Sequence, residues 1–412
     1  MSAADMCART QAHAPLGAAG GARASGAGDL PAAAPRAGAD APLALIMAGG
    51  TGGHVFPALA LARELRARSW QIVWLGTRRG LEARLVPAEQ IPMEWLSVAG
   101  LRGKGPWVWV SAPLRLARAL AQALAVIRRR RPALVIGLGG FAAGPGGVAA
   151  WLLRRPLLIH EQNAVAGFTN RCLSHLARRV LSAFPGSFAP QVRAQVVGNP
   201  VRREIVDLPS PAQRFSLRDG PIRVLVLGGS QGAARLNAIV PFALARAAPL
   251  KFDVRHQAGE RWLQSVQHNY AQAGVSARLH AFIDEMAEAY GWADLVICRS
   301  GALTISELAA AGVGAVLVPF PAATDDHQTR NAGALVDGGA AMMIPDRQLS
   351  AQQLAEMLIG LCVNRVGLLA MAERARLLAR PRATQELADA CVELTLPDAP
   401  QRPPRHLPGA PA

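Results

Sequence analysis

The chain has 412 residues, 51% of them apolar, and carries 44 Lys and Arg against 28 Asp and Glu, a net charge of +16. That length admits two or three domains with sizeable cores. Its five cysteines (Cys7, Cys172, Cys298, Cys362, Cys391) are too scattered for a structural zinc site or a disulfide framework, which fits a reducing compartment.

Residues 1–42 hold 16 Ala, 6 Gly and 4 Pro without apolar periodicity. They read as a disordered extension, with neither the basic nor the apolar region of a secretory signal. The six prolines of 397–412 give a second such tail. Between the tails, apolar runs "LALIMA", "QIVWL", "ALVIGL" and "PLLIH" alternate with helical segments 57–68, 107–130 and 144–153. After "VDLPSPAQ" the scheme restarts at Ile222 with "IRVLVLGGSQGA" and continues through "FDVRHQ", "ARLHAF", "ADLVIC", "GAVLVPF" and "AMMIP". Alternation at this spacing predicts parallel sheets covered on both faces. The expected architecture is α/β: two doubly wound Rossmann-like domains, 43–200 and 201–396, facing across a cleft with the ligand at the carboxyl ends of both sheets. The stretch 132–153 is uncharged like a membrane span, yet its six glycines and Pro145 predict a buried strand, a glycine loop and a helix.

Charge divides unevenly between the halves. Residues 43–200 carry 19 Arg and 1 Lys against 5 Glu, a net of +15, whereas 201–380 carry 17 Arg and 1 Lys against 16 acids, a net of +2. An acidic partner is therefore expected at the first half: nucleic acid, an anionic membrane surface or a phosphorylated substrate.

"GGTGGH" (Gly49–His54) places bare backbone at the mouth of a helix, where amide N–H groups favour a phosphate or a sugar; a plain strand-to-helix turn is the competing reading. Neither this loop nor "GGSQGA" matches the dinucleotide fingerprint, and Gly137-x-Gly139-x-x-Ala142 matches it on about the fourth strand instead of the first. No H-E-x-x-H or D-x-D occurs, so no metal is expected, and Asp325 with Asp326 reads as a helix cap. His160-Glu161-Gln162-Asn163 ends a strand and points four polar side chains toward the cleft. In the second half, "GGSQGA" (Gly228–Ala233) and "RSGALTISE" (Arg299–Glu307) both open helices, with Glu307 placed to reach a ribose diol while a diphosphate sits at the N-terminus.

In order, "GGTGGHVFPALALA", "LRGKG", "GGFAAGPGG", "HEQNAVAGFTNR", "VVGNPVR", "VLGGSQGA", "CRSGALTISELAAAG" and "DDHQTRNA" resemble the bacterial lipid-intermediate N-acetylglucosaminyltransferases of peptidoglycan synthesis, the MurG type. The likeness runs from about residue 43 to about 390. It implies a GT-B fold and inverting transfer of N-acetylglucosamine from UDP-GlcNAc to the 4-hydroxyl of the muramic acid in undecaprenyl-diphospho-muramoylpentapeptide. It also implies a part in cell-wall synthesis, and so in cell shape and division, with no cofactor and no nucleic acid.

Donor contacts carried over from the family fall on Thr51, Gly52, Gly53, Asn163, Arg202, Ser230, Ile283, Ala302, Leu303, Thr304, Ile305, Ser306, Glu307 and Gln328. Ile283 would offer backbone to the uracil, and Gln328 with Asn331 would hold sugar hydroxyls. A sugar hydroxyl needs a base as it attacks. His54 is the first candidate and Glu161 the second, and either could instead orient the other. Helix N-termini and Arg202 would stabilise departing UDP. The lipid acceptor implies a peripheral position on the cytoplasmic side of the inner membrane. There the first domain would meet the anionic surface through Arg102, Lys104, Trp107, Trp109, Val110 and Leu114, with Arg115 and Arg118 close by. A GT-B enzyme with another lipid acceptor, such as diacylglycerol, is the alternative, and a non-catalytic membrane scaffold is a rival of another class.

Overall fold

Each apolar run of the first half is a strand buried on both faces, as a parallel sheet between helical layers requires. The computed structural model describes residues 41–78, 80–97, 106–216, 218–229 and 232–396, apart from the side chains of 106–111 and 324. The expected tails therefore lie outside the described residues except for Ala41 and Pro42. The chain begins β1 (Leu43–Ala48), α1 (Gly52–Ala67), β2 (Gln71–Gly76), α2 (Glu82–Ala88) and β3 (Met93–Trp95). It continues α3 (Pro106–Arg130), β4 (Leu134–Gly139), α4 (Ala143–Leu152), β5 (Leu157–Glu161), α5 (Phe168–Leu173), β6 (Arg179–Ser182) and β7 (Gln195–Val196). These strands pair in parallel in the order β3-β2-β1-β4-β5-β6-β7. The order reverses between β1 and β4, so the loops that follow those two strands flank the crevice.

The uncharged stretch 132–153 is β4, a turn and α4. Its glycine density has a packing reason, since a Cβ on Gly146 would lie 2.1 Å from Met47 Sδ and so hold α4 off β1. Of the expected membrane-facing residues, Arg102 and Lys104 lie outside the described residues, as do the side chains of Trp107, Trp109 and Val110. Leu114, Arg115, Leu116 and Arg118 on α3 are exposed.

The second half opens with two short helices, α6 (Arg203–Val206) and α7 (Pro211–Phe215), the latter started by a reciprocal Ser210–Gln213 capping box. Then come β8 (Ile222–Leu227), α8 (Ala234–Arg246), β9 (Phe252–Gln257), α9 (Leu263–Ala273), β10 (Arg278–His280), α10 (Met286–Trp292) and β11 (Leu295–Cys298). After these follow α11 (Ala302–Ala311), β12 (Gly314–Leu317), α12 (His327–Val336), β13 (Ala341–Met343), α13 (Ala351–Cys362), α14 (Arg365–Leu377) and α15 (Ala383–Glu393). The second parallel sheet runs β10-β9-β8-β11-β12-β13, reversing between β8 and β11. Asp294 is fully buried just before β11; it pairs with Arg218, accepts from the Arg223 amide at 3.0 Å and lies 3.6 Å from Arg365.

The last helix departs from the division expected at residues 200 and 201. Leu387, Ala388, Ala390, Cys391 and Leu394 bury themselves in the core of the first domain, beside Ala58, Leu61 and Leu65 of α1. At the rim, Arg68 donates to Asp389 at 2.6 Å and Arg179 pairs with Glu393. A sequence pattern shows that a helix has an apolar face, but not which sheet covers it. Leu387→Ala is therefore expected to destabilise the first domain by about 2–5 kcal/mol. Amide exchange should speed up in β1 and β4 and stay unchanged in β8 and β11; faster exchange confined to the second sheet would contradict this packing.

Candidate active site

The loop after β1 is shaped by a carboxylate that the sequence does not advertise. Glu82, fully buried at the start of α2, accepts from the Gly50 amide at 2.9 Å and from the amide and hydroxyl of Thr77 at 3.0 and 2.8 Å. A Cβ on Gly49 would sit 2.5 Å from Glu82 Oε1, so part of the glycine requirement is structural. Beyond Thr51, the first-turn amides of α1 belong to Gly52 and Gly53, and no side chain caps them. Such amides have no intrahelical acceptor and attract an anion or a polar ligand. Thr51 is exposed, and Gly52, Gly53 and His54 are half-buried.

The imidazole of His54 lies over Gly139, where a Cβ would come within 2.7 Å of the ring and where φ is +103°. This close approach explains a glycine that imitates a dinucleotide motif. His54 Nδ1 meets Gln162 Oε1 at 3.1 Å. An amide oxygen can only accept, so the contact calls for the hydrogen on Nδ1, which in the neutral ring leaves the lone pair on Nε2.

The four polar residues that end β5 do not act as one group, because successive strand residues face opposite ways. His160, fully buried, bonds to the Gly198 carbonyl at 2.9 Å, and burial lowers its pKa to about 4, so it is neutral and donates. Glu161 accepts four bonds: from Asn163 N and Nδ2 at 3.0 and 3.1 Å, from Gly167 N at 3.1 Å and from Asn170 Nδ2 at 2.8 Å. A carboxylate with its lone pairs so engaged shapes the 161–170 loop. It makes no bond to His54; the side chain that bonds His54 is Gln162. Asn163 is held on two sides, bonding Glu161 and accepting from Asn331 Nδ2 at 3.3 Å.

Asn331 is likewise not free to hold a sugar. It is fully buried, its Oδ1 accepts from the Ala164 amide at 2.8 Å, and its Nδ2 donates to Ser300 O at 3.2 Å. Asn199 makes a matching link, donating to Gln162 O at 3.1 Å, Ser306 Oγ at 3.0 Å and Ala302 O at 3.4 Å. These two amides join the loops after β5 and β7 to the N-terminus of α11, so the carboxyl ends of the two sheets meet at the same place.

On the second domain, the amides at the start of α11 follow the cap residue Gly301, with no side-chain cap. Ala302 and Ile305 turn their side chains into the core, and Leu303, Thr304 and Ser306 are half-buried. A ligand at this end meets mainly backbone. Glu307 is 6% exposed; burial raises its carboxyl pKa while Arg202 and Tyr290 oppose that rise. Arg202 Nη2 donates to Glu307 Oε1 and the Tyr290 hydroxyl to Oε2, each at 3.1 Å. Ile283 is packed in the second core at 9% exposure. Gln328 is half-buried, with its carbonyl accepting from the Phe320 amide at 2.8 Å. Ser230 lies outside the described residues. Asp326 stands at the N-cap of α12 without capping it, accepting from the Thr329 hydroxyl at 2.7 Å, and Asp325 lies 3.5 Å from Arg171 across the domains. Of the residues that shape this site, Glu82 and Tyr290 were not singled out from the sequence, and Gln162 was named only as one of the four polar residues ending β5, without its contact to His54; each acts through a partner distant in the chain.

Residues 44–182 match the glycosyltransferase family 28 N-terminal domain and residues 223–389 the family 28 C-terminal domain. The chain is 57% identical over 350 residues to the UDP-N-acetylglucosamine–N-acetylmuramyl-(pentapeptide) pyrophosphoryl-undecaprenol N-acetylglucosamine transferase of Alkalilimnicola ehrlichii, covering 85% of this chain and 98% of that one. It is 58% identical to the Chromohalobacter salexigens protein of the same name, with coverage of 85% and 96%. The crystal structure of Acinetobacter baumannii MurG superposes with a TM-score of 0.76 at 40% identity, covering 85% and 99% of the two chains. Two parallel Rossmann-like sheets and these likenesses together give a GT-B glycosyltransferase: the chain belongs to glycosyltransferase family 28 and, within it, to the MurG group of N-acetylglucosamine transferases.

Proposed function

We infer that this protein moves N-acetylglucosamine from UDP-GlcNAc to the muramic acid 4-hydroxyl of undecaprenyl-diphospho-muramoylpentapeptide, with inversion, in peptidoglycan precursor synthesis. Beyond family membership, one observation carries the chemistry. His54, half-buried in the first turn of α1, has Nδ1 against Gln162 Oε1, which in the neutral ring leaves Nε2 to accept. In the reaction, the acceptor O4 forms its bond to the sugar's anomeric carbon as the bond from that carbon to the diphosphate breaks. The O4 proton passes to His54 Nε2, and UDP leaves with the electron pair. The first-turn amides of α11 lie where the diphosphate's growing charge is stabilised, and Glu307 takes the ribose.

The function test uses purified protein, UDP-GlcNAc and a short-chain lipid-linked muramoylpentapeptide. UDP release should accompany a product heavier by one N-acetylhexosamine. In the same assay His54→Ala is expected to lower turnover by roughly 10²–10⁴, the usual worth of a general base, while calorimetric affinity for UDP-GlcNAc holds within a few-fold. An unchanged turnover number would remove His54 from the chemistry.

The reading extends to location: the first domain docks on the anionic cytoplasmic face of the membrane, bringing the cleft to its lipid acceptor. Charge supports it. Only five acids stand among the 20 basic residues of 43–200. Two of them, Glu82 and Glu161, are buried on loop donors, and the other three pair with Arg63, Arg68, Arg129 and Arg130. Five acids cannot balance 20 basic residues, so this half keeps a large excess of positive charge. On α3, Leu114 and Leu116 are 78% and 56% exposed beside Arg115 and Arg118, the composition of an interfacial helix. Each basic side chain near an anionic leaflet contributes about 1 kcal/mol. Binding to anionic liposomes should weaken with salt and fall in Leu114→Ser/Arg118→Glu; equally poor binding to neutral and anionic vesicles would rule the docking out.

A further inference from the structure

We propose that Tyr290 is a positioning residue for nucleotide binding: its buried hydroxyl fixes one oxygen of Glu307 so that the other is presented to the ribose diol. The proposal rests on the reading of Glu307 as the ribose ligand. The two carboxylate oxygens have unlike surroundings. Oε2 faces the Tyr290 hydroxyl, on a side chain 1% exposed. Oε1 faces Arg202, whose side chain is 32% exposed. A ligand hydroxyl therefore approaches Glu307 from the Oε1 side, while the phenol stays in place behind it.

Two further features support an exchange at Oε1. Arg202 makes a single bond to Glu307 and its Nε is buried without a partner, so the pair leaves hydrogen-bonding capacity unused. The phenol, by contrast, is a permanent donor, because burial and the adjacent Glu307 carboxylate hold its pKa well above the ordinary value. Its position is set by the helices as well. Arg214 donates to the Tyr290 carbonyl on α10 at 3.2 Å and to the Ala311 carbonyl at the end of α11 at 2.7 Å. This arginine ties together the helix that carries the phenol and the helix that carries the carboxylate. Without the hydroxyl, Glu307 would lose the bond that fixes its rotation, and a charge-assisted bond of this kind is among the stronger ones.

The bland alternative is a core tyrosine that bonds the nearest acceptor. The two are separated by titrating wild type, Tyr290→Phe and Glu307→Ala with UDP and with 2′,3′-dideoxy-UDP, which lacks the diol. Phenylalanine keeps the packing volume. Tyr290→Phe is expected to weaken UDP binding roughly tenfold while leaving dideoxy-UDP binding unchanged, and to raise KM for UDP-GlcNAc without lowering kcat. Equal weakening of both nucleotides, or of neither, overturns the proposal. If Glu307→Ala discriminates the two nucleotides as wild type does, the ribose is not on Glu307 and the underlying reading fails. If Glu307→Ala abolishes the discrimination and Tyr290→Phe retains it, the positioning role alone fails.

Discussion

Two buried asparagines hold the carboxyl ends of the two sheets against each other, and the proposed chemistry depends on that junction. Asn199 comes from the end of the first domain and bonds residues at the start of α11; Asn331 comes from α12 and bonds the loop after β5. Both are almost wholly buried. Leaving one such group without its partner costs about 1–3 kcal/mol, so the junction favours one arrangement of loops over its neighbours. In that arrangement the proposed function needs His54, on the first domain, and Glu307, on the second, to serve one bound donor. The strap of α15 across the first core adds an apolar tie between the same two bodies.

Buried carboxylates build the loops around this junction. Glu82 organises the loop after β1 and Glu161 the loop after β5, each by accepting from backbone amides; Asp294 does the corresponding work at the opposite, amino end of the second sheet. Such acids resemble catalytic residues when read in sequence. A carboxylate surrounded by four donors, as Glu161 is, has little capacity left for a substrate proton. The proposed base is instead an imidazole whose tautomer is set by a neutral amide.

The fold was legible in the sequence because its signal is local. Apolar runs of fixed length alternate with helices, and the restart at Ile222 marks a second sheet. The helix starts after "GGTGGH" and at Ala302 were legible for the same reason, since a glycine loop followed by a helix is a short-range pattern. The contact of Gln162 with His54 and the parts played by Glu82 and Tyr290 were not, because they come from residues 108, 32 and 17 positions away in the chain. The burial of Asn331 was not legible, because an exposed and a buried amide look alike in sequence. The covering of the first core by α15 was hidden for a similar reason, as the apolar face of a helix does not name its partner.

The central claim is that one cleft holds the nucleotide on the second domain and offers its sugar to His54 on the first. A crystal structure of the protein with UDP-GlcNAc tests it most directly. The account predicts the ribose diol on Glu307, the diphosphate at the N-terminus of α11, and the anomeric carbon open toward His54 Nε2. A complex with the ribose on the first domain, or with the sugar turned away from His54, would contradict it.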